Sequence, residues 1–330
     1  MVASATALTR SPGCYRGCHP LAETPTMPSS RLFASVACLV VVLAAIDAGA
    51  APALTAAQVI ERSAPGDWRP LDPANTLVLE LADPRSGPVI IELAPRFAPQ
   101  HAANIRTLAH EGFYDGLAVL RVQDNYVAQW GDPDAEAPER AKSLGSATKK
   151  LPAEFSVPLK GLPLTRLPDV DGWAPVTGFV DGMPVAADPR SGRAWLAHCY
   201  GTLGAGRDMA VDSSNGSELY AVIGQAPRGL DLNITVVGRV LQGMQWLSAL
   251  PRGTADMGFY AEAAQRSAIR RVRLVADIPV GERPALEIMR TDTPTWQALL
   301  QARRVRREEW FVHSPRHINV CNATPPVRAR

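Results

Sequence analysis

Two polar side chains on neighbouring apolar runs are the strongest candidates for chemistry in this sequence. Arg121 lies in the run Ala118–Val122, and Gln129 ends the next run, eight residues later, with Asp132 three positions beyond it. A guanidinium stays charged at any physiological pH and presents donors in a fixed geometry, so Arg121 could stabilise a reacting group by hydrogen bonding. By residue type alone, however, Arg121 is better explained as a half-exposed strand arginine that pairs with a carboxylate.

Other patterns that carry chemistry are incomplete. The glycine cluster Gly201–Gly206 lacks the spacing and the following helix of a dinucleotide loop. His313 and His317 are four residues apart, but Pro315 prevents the helix that would align them as metal ligands. The chain has no Gly-X-Ser-X-Gly nucleophile elbow. We therefore expect no metal and no cofactor.

Composition indicates a globular protein with an ordinary core. The 330 residues are 46% hydrophobic and carry a formal net charge of +2, which gives no electrostatic reason to expect nucleic acid as a partner. Of the five cysteines, only Cys199 and Cys321 follow residue 50, and the sequence leaves open whether they form a disulfide. We expect a monomer.

The N-terminal 50 residues contain a secretory pattern. The apolar run Leu32–Ile46 follows Arg31 and precedes Ala48-Gly-Ala50, so we expect a signal peptide cleaved after Ala50, with Met27 as the natural start. An uncleaved N-terminal anchor is the alternative, and it is the one route by which we expect membrane contact. The abundance of Ala, Pro and Arg suggests a bacterial source, so the predicted location is the periplasm.

The segment after residue 75 is dominated by strands. Residues 51–75 form a lead-in, and the alternating runs 76–82 and 88–94 predict a hairpin. Residues 100–111 predict an amphipathic helix with Pro99 in its first turn, and 244–250 predict a second helix. Strands are also predicted at 118–122, 126–129, 195–200, 218–223, 234–240 and 269–275. This order favours a mostly antiparallel β fold.

Two further segments look like additions to that fold. Residues 133–197 are rich in proline, glycine and charge, and predict a long irregular insertion. Residues 281–330 predict a small extension with a helix from about Thr295 to Glu309, capped by Thr293, and an arginine-rich tail. This arginine-rich segment is better explained as a solvated helix face than as a patch that binds nucleic acid or a membrane surface. A scaffold that binds partners through the insertion or this segment is a further alternative.

Three stretches of the chain match segments of one known family. The stretch VLRVQDNYVAQWGD, residues 119–132, is similar to the family segment Phe-His-Arg followed by Phe-Met-X-Gln-Gly-Gly-Asp. Residues 98–114 resemble the first family helix, and 215–220 with 238–244 resemble the Gly-Ser-Gln-Phe-Phe strand and the following Phe-Gly-X-Val-X-X-Gly-Met segment. On these residues the chain resembles cyclophilin-type peptidyl-prolyl isomerases from Thr76 to about residue 280. The resemblance implies a cyclophilin-like closed antiparallel β-barrel capped by two α-helices.

The resemblance also implies roles for individual residues. Arg121 matches the arginine that donates hydrogen bonds at the substrate prolyl amide, and Gln129 matches the glutamine that orients the peptide backbone. The remaining expected substrate-binding residues lie at family groove positions: Tyr126, Val127, Gly206, Glu218, Leu219, Tyr220 and Leu230.

Several matched positions depart from the family pattern. Leu120 replaces the histidine before the arginine, Glu218 replaces a glutamine, and Ile234 or Asn233 falls where the family has a groove histidine. Glu218 brings a charge close to Arg121, which would either hold the guanidinium in place or neutralise it.

The predicted function is cofactor-free cis–trans isomerisation of X-Pro bonds in proteins folding in the periplasm. The partners would be proline-containing unfolded or folding polypeptides. The alternative is a binding module or holdase chaperone that kept the groove and lost turnover.

Overall fold

The computed structural model describes residues 53–330. The predicted signal segment, its Met27 start and its cleavage after Ala50 lie outside the described residues. Within 53–330, no helix is long and apolar enough to cross a membrane.

Strands dominate the described chain. In chain order they are β1 (Trp68–Pro70), β2 (Thr76–Leu81), β3 (Val89–Leu93), β4 (Ala118–Val122), β5 (Val127–Gly131), β6 (Val157–Pro158), β7 (Thr165–Arg166), β8 (Val176–Val180), β9 (Met183–Asp188), β10 (Arg193–Leu196), β11 (Thr202–Ala205), β12 (Leu219–Val222), β13 (Val236–Gln242), β14 (Ser267–Leu274), β15 (Leu286–Met289) and β16 (Val327–Ala329). The α-helices are α1 (Ala56–Glu61), α2 (Pro99–His110), α3 (Met244–Ser248) and α4 (Pro294–Arg304).

Eight strands close into an antiparallel barrel, as predicted. Their order is β11-β12-β5-β4-β14-β2-β3-β13, and the pairing of β13 with β11 completes the circle. Inward-facing residues of these strands form one apolar core with the buried faces of α2 and α3, including Ile105, Leu108 and Leu247. The two helices therefore cap the barrel, because their apolar stripes are buried in its core.

The insertion supplies the N-terminal cap of α2. The helix begins at Pro99, but Ala98 at the cap position offers no side-chain acceptor. The Glu154 carboxylate accepts hydrogen bonds from the backbone amides of Gln100 and His101, each at 3.0 Å. These are donors that a helix cannot satisfy internally.

The prediction of an irregular insertion over 133–197 is wrong for its second half. Residues 157–196 form a five-stranded antiparallel sheet in the order β6-β10-β9-β8-β7. The turn between β8 and β9 is Asp181-Gly182, and both residues have positive φ, 52° and 80°, as a two-residue hairpin turn requires. The edge strands have only two residues each, too few to show alternation in the sequence.

The lead-in, the insertion and the extension pack together around a second apolar core. Strand β15 pairs with β1 on one side and β16 on the other. Helix α4 buries Trp296 against Phe179 of the insertion, and a disulfide joins Cys199 to Cys321. The C-terminal segment is thus part of a shared core rather than an isolated tail.

Helix α4 is shorter than predicted. It is capped by the Thr293 hydroxyl, which accepts from the Trp296 amide at 3.2 Å as expected, but it ends at Arg304 instead of Glu309. The Arg304 guanidinium binds both carboxylate oxygens of Asp169 in the insertion.

Candidate active site

Four neighbouring strands place the central residues of the site in one row across the outer face of the barrel. Arg121 on β4 is the register partner of Gln129 on β5, and Gln129 is the partner of Tyr220 on β12. Tyr220 is in turn the partner of Gly204 on β11. Because partners across a sheet share a face, antiparallel register alone brings these positions together.

A β-bulge directs Arg121 outward. The register of β4 against β5 shifts between Val119 and Arg121, and both Val119 and Val122 are buried in the barrel core. Strict alternation would place Val119 and Arg121 on the same, inner face. The extra residue, Leu120, switches the face at which Arg121 emerges, which is a common use of bulges beside functional sites.

Every nitrogen of the Arg121 guanidinium makes one hydrogen bond. Nε donates to the Met257 carbonyl at 2.5 Å, Nη1 donates to Gln129 Oε1 at 3.3 Å, and Nη2 donates to Gln123 Oε1. The group has five N–H donors. One N–H on each terminal nitrogen is therefore left without a partner among residues 53–330.

Two aromatic rings flank this guanidinium. Its central carbon lies 5.4 Å from the ring centroids of both Tyr126 and Phe259. Burial lowers the pKa of Arg121 from its usual value, while the charge of Glu218 acts in the opposite direction. An arginine remains protonated at neutral pH despite such a shift, so the site keeps a positively charged donor.

Glu218 acts on Arg121 through Gln129. Gln129 Nε2 donates to Glu218 Oε1, and Gln129 Oε1 accepts from Arg121. An ionised carboxylate can only accept, so it selects this orientation of the amide and turns the amide oxygen towards the guanidinium. The Gln129 amide therefore lies between the Arg121 and Glu218 side chains, and its hydrogen bonds to both fix its orientation.

Burial raises the pKa of the Glu218 carboxyl, against the opposing hydrogen bond from Gln129 and the charge of Arg121. Gly206 lies beside the same side chain, because its amide donates to the Glu218 carbonyl at 2.8 Å. A Cβ at Gly206 would come within 3.2 Å of Glu218 Oε1. Gly206 therefore contributes room for the carboxylate.

An apolar cluster lies next to the polar row. Val127, Tyr220 and Val222 form its buried part, and Tyr126 and Ile234 pack against it with partial exposure. Three expected pocket residues, Tyr126, Val127 and Tyr220, are therefore brought together. Ile234, at the position of the family's groove histidine, joins them.

Two other expected pocket residues lie elsewhere. Leu219 points into the barrel core, where it is 1% exposed, so its side chain does not line the groove. The expectation was wrong because side chains alternate along β12: Tyr220 and Val222 face outward, as does Glu218 just before the strand, and Leu219 faces inward. Leu230 ends the short 3-10 turn Ala226–Leu230 and is not part of the cluster around Val127 in the described chain.

The Tyr220 side chain makes contacts beyond the apolar cluster. Gly204 lies directly under it, and a Cβ there would come within 2.1 Å of the ring. The hydroxyl bonds to His198 Nε2 at 2.9 Å and is buried, and burial raises the pKa of this phenol. The ring therefore crosses β11 towards the insertion.

Sequence reasoning missed three residues that contact Arg121. Gln123 is two positions away on the same strand face, and that spacing was the available signal. Met257 and Phe259 lie in the loop before β14, more than 130 residues away in the chain, and no local pattern predicts their contact with Arg121. The arrangement as a whole holds a partly satisfied cation next to an apolar cluster, and can donate hydrogen bonds to a polar group of an otherwise apolar ligand.

Comparison with known proteins identifies related chains. Residues 76–274 match the model of the family described as cyclophilin type peptidyl-prolyl cis-trans isomerase/CLD. A probable peptidyl-prolyl cis-trans isomerase of Brucella suis is 31% identical over 192 residues, which cover 56% of this chain and 74% of the relative. Peptidyl-prolyl cis-trans isomerase B of Bacillus subtilis is 52% identical over 42 residues, 13% of this chain and 29% of that protein.

A solved structure extends the similarity. The cyclophilin AquaCyp293 from Hirschia baltica superposes with a TM-score of 0.62 at 25% identity, covering 80% of this chain and 95% of its own. That share of the chain is larger than residues 76–274 alone, so the likeness reaches beyond the barrel.

Proposed function

Because this chain belongs to the family of cyclophilin-type peptidyl-prolyl cis-trans isomerases, we propose that it isomerises X-Pro bonds of folding proteins with Arg121 as the donor to the prolyl amide. The family membership carries the isomerase activity itself. The residue roles, the clients and the cellular location are the content of the proposal.

Isomerisation of an X-Pro bond requires little of the protein beyond a hydrogen-bond donor in the right position. Rotation about a peptide bond meets a barrier of about 18–20 kcal/mol, because amide resonance keeps the bond planar. In the twisted transition state the prolyl nitrogen is pyramidal and its lone pair can accept a hydrogen bond. A donor aimed at that nitrogen stabilises the transition state more than the planar ground state, and this difference lowers the barrier.

The observation that carries the proposal is the partial hydrogen bonding of the Arg121 guanidinium. Three of its N–H groups are held by Met257, Gln129 and Gln123, and the other N–H of each terminal nitrogen has no partner within residues 53–330. The held groups fix the orientation before a substrate arrives, and preorganised donors cost no reorganisation during the reaction.

The neighbouring residues would bind and orient the substrate. The proline ring would pack against the apolar cluster of Tyr126, Val127, Tyr220 and Ile234. Gln129 would contact the peptide backbone from beside Arg121. Glu218 would keep the Gln129 amide in the required orientation.

The proposed location is the periplasm, after secretion by a cleavable signal peptide. The apolar run Leu32–Ile46 and the small residues before position 51 support this part of the proposal. The Cys199–Cys321 disulfide also supports it, since such bonds persist in oxidising compartments. Cell fractionation with N-terminal sequencing tests it: a periplasmic chain beginning at Ala51 is expected, and a cytoplasmic full-length chain would contradict it.

A refolding assay tests the activity and the role of Arg121 together. The mature chain should accelerate the slow, proline-limited phase of a client's refolding, and Arg121→Ala should remove that acceleration. If the wild-type chain matches buffer in this assay but suppresses aggregation, the groove is a binding module or holdase instead. If Arg121→Ala retains full acceleration, the proposed donor is wrong.

A further inference from the structure

The hydroxyl of Tyr220 ends a chain of buried polar side chains that leads away from the site. It bonds to His198 Nε2 at 2.9 Å, and His198 Nδ1 bonds to the Asp231 carboxylate at 2.9 Å. Arg228 Nε donates to the same carboxylate at 3.0 Å. Arg228 also binds Asp171 of the insertion with both terminal nitrogens, at 3.1 and 2.9 Å.

All side chains of this hydrogen-bonded network are buried. The side chain of His198 is 0% exposed, and those of Asp231, Arg228 and Asp171 are 9%, 5% and 2% exposed. Asp231 accepts further bonds from the His198 amide and from the Trp195 indole. Such a network is rigid when every member is satisfied, and losing one member leaves buried groups without partners.

The partners of His198 define its hydrogen-bonding roles. Burial alone would raise the pKa of Asp231, but the hydrogen bond from His198 and the charge of Arg228 lower it overall, so the carboxylate is ionised. It can then only accept, which places a proton on His198 Nδ1. When Nδ1 carries the only ring proton, Nε2 accepts a hydrogen bond from the Tyr220 hydroxyl.

Two features together determine where the Tyr220 ring stands. Gly204 offers no Cβ, which lets the ring lie across β11, and His198 holds the hydroxyl at the far end. The family pattern has phenylalanine at this position, and a phenylalanine could not make the second contact.

We infer that His198 is a positioning residue for the proline site, acting through the Tyr220 hydroxyl, and that the chain of Asp231, Arg228 and Asp171 links this wall of the site to the insertion. The inference rests on the proposed function, because it concerns the pocket assigned there to the substrate proline. It adds that substrate affinity depends on contacts made by the insertion.

The test combines single variants with a double variant. Tyr220→Phe and His198→Ala should each raise the KM of a proline tetrapeptide, and its Kd measured by titration, by about three- to tenfold, the equivalent of one hydrogen bond, with a smaller change in kcat. His198→Gln keeps an acceptor and should recover most of the affinity. The double variant Tyr220→Phe with His198→Ala should be no weaker than the weaker single variant.

Ring motion provides a readout that does not depend on turnover. In NMR spectra of 13C-tyrosine-labelled protein, the Tyr220 ring should flip faster in His198→Ala than in the wild type. Tyr200→Phe is the matched control: it removes a hydroxyl bonded to Ser248 at 2.7 Å outside the site, and should change neither Kd nor KM.

The outcomes separate this inference from the proposed function. A wild-type chain that binds the peptide without isomerising it would contradict the proposed function, while Kd and ring motion would still report on His198. An unchanged Kd in both Tyr220→Phe and His198→Ala, together with unchanged Tyr220 ring motion in His198→Ala, would overturn the inference, and so would fully additive losses in the double variant. If His198→Ala fails to fold, Tyr220→Phe alone decides, because an unchanged Kd in that variant overturns it.

Discussion

Arg121 and Gln129 are direct register partners on adjacent strands, and the guanidinium Nη1 donates to the amide oxygen at 3.3 Å. The same amide donates from its nitrogen to Glu218. The Arg121 guanidinium thus binds the oxygen of the Gln129 amide, and the Glu218 carboxylate binds its nitrogen. Arg121 thus stays a charged donor with no direct ion pair to any residue of the described part of the chain. Such a pair would occupy the N–H groups that a substrate needs.

Removing the guanidinium should abolish most of the catalysis. Arg121→Ala should lower kcat/KM for a prolyl peptide about a hundredfold, the usual effect of deleting one preorganised transition-state donor. Arg121→Lys should restore little, because a single ammonium cannot bond Met257, Gln129 and Gln123 and still present a free N–H. Thermal unfolding close to that of the wild type would exclude misfolding, and activity within twofold of the wild type would contradict the assigned role.

Glu218→Gln should stabilise the fold at neutral pH. Burial raises the folded-state pKa of Glu218 above 4.5, so ionising this group costs the folded state more than the unfolded chain. The cost is absent below pH 4.5 and complete above the folded-state pKa. The advantage of the variant should therefore be present at about pH 7 and disappear at about pH 4, as measured by urea unfolding. A destabilised variant at neutral pH would mean that the charge is a net benefit.

Glu154→Gln should destabilise the protein by about 1–2 kcal/mol at neutral pH, since the carboxylate caps α2. Burial opposes ionisation of Glu154, but hydrogen bonds from His101 and Gln100 lower its pKa overall. Its contribution is therefore present above pH 4.5 and lost as the pH falls through the folded-state value. Glu139→Gln is the control, because Glu139 is exposed in a surface pair with Arg140 and should have almost no effect on unfolding.

Gly204→Ala should displace the Tyr220 ring. The new Cβ would lie 2.1 Å from the ring, so the variant should lose about 1–3 kcal/mol of stability and raise the KM for prolyl peptides. Gly229→Ala is the control, because a Cβ there meets no atom within 4 Å. Equal behaviour of the two variants would show that the ring tolerates the added methyl group.

Replacing both cysteines by serine should lower the free energy of unfolding by about 2–4 kcal/mol, because the Cys199–Cys321 bond closes a loop of 122 residues. Adding a reductant should destabilise the wild type by a similar amount and leave the double variant unchanged. A reductant effect of equal size on both proteins would point to a cause other than this bond.

Much of the barrel and part of the site could be predicted from local sequence patterns. Apolar patterns indicated seven of the eight barrel strands, and Pro99 and Thr293 marked the starts of two helices. The eighth strand, β11, was missed because it lies in the glycine cluster Gly201–Gly206, and the strand predicted at 195–200 overlaps only the end of β10. The spacing of Arg121 and Gln129 was sufficient to propose the catalytic pair, since a short hairpin makes close residues partners. The Asp181-Gly182 turn was an available signal for the insertion hairpin that its proline-rich surroundings obscured.

The tertiary structure alone decided the orientation and the support of the site. The bulge at Leu120 turns Arg121 outward, although simple alternation would bury it. Phe259 flanks Arg121 from another part of the chain, and His198 joins Tyr220 to the insertion. Local periodicity specifies which residues prefer to be buried, but contacts between distant segments depend on how those segments pack around a common core. For that reason the residues that could do the chemistry were visible in the sequence, and the contacts that position them were not.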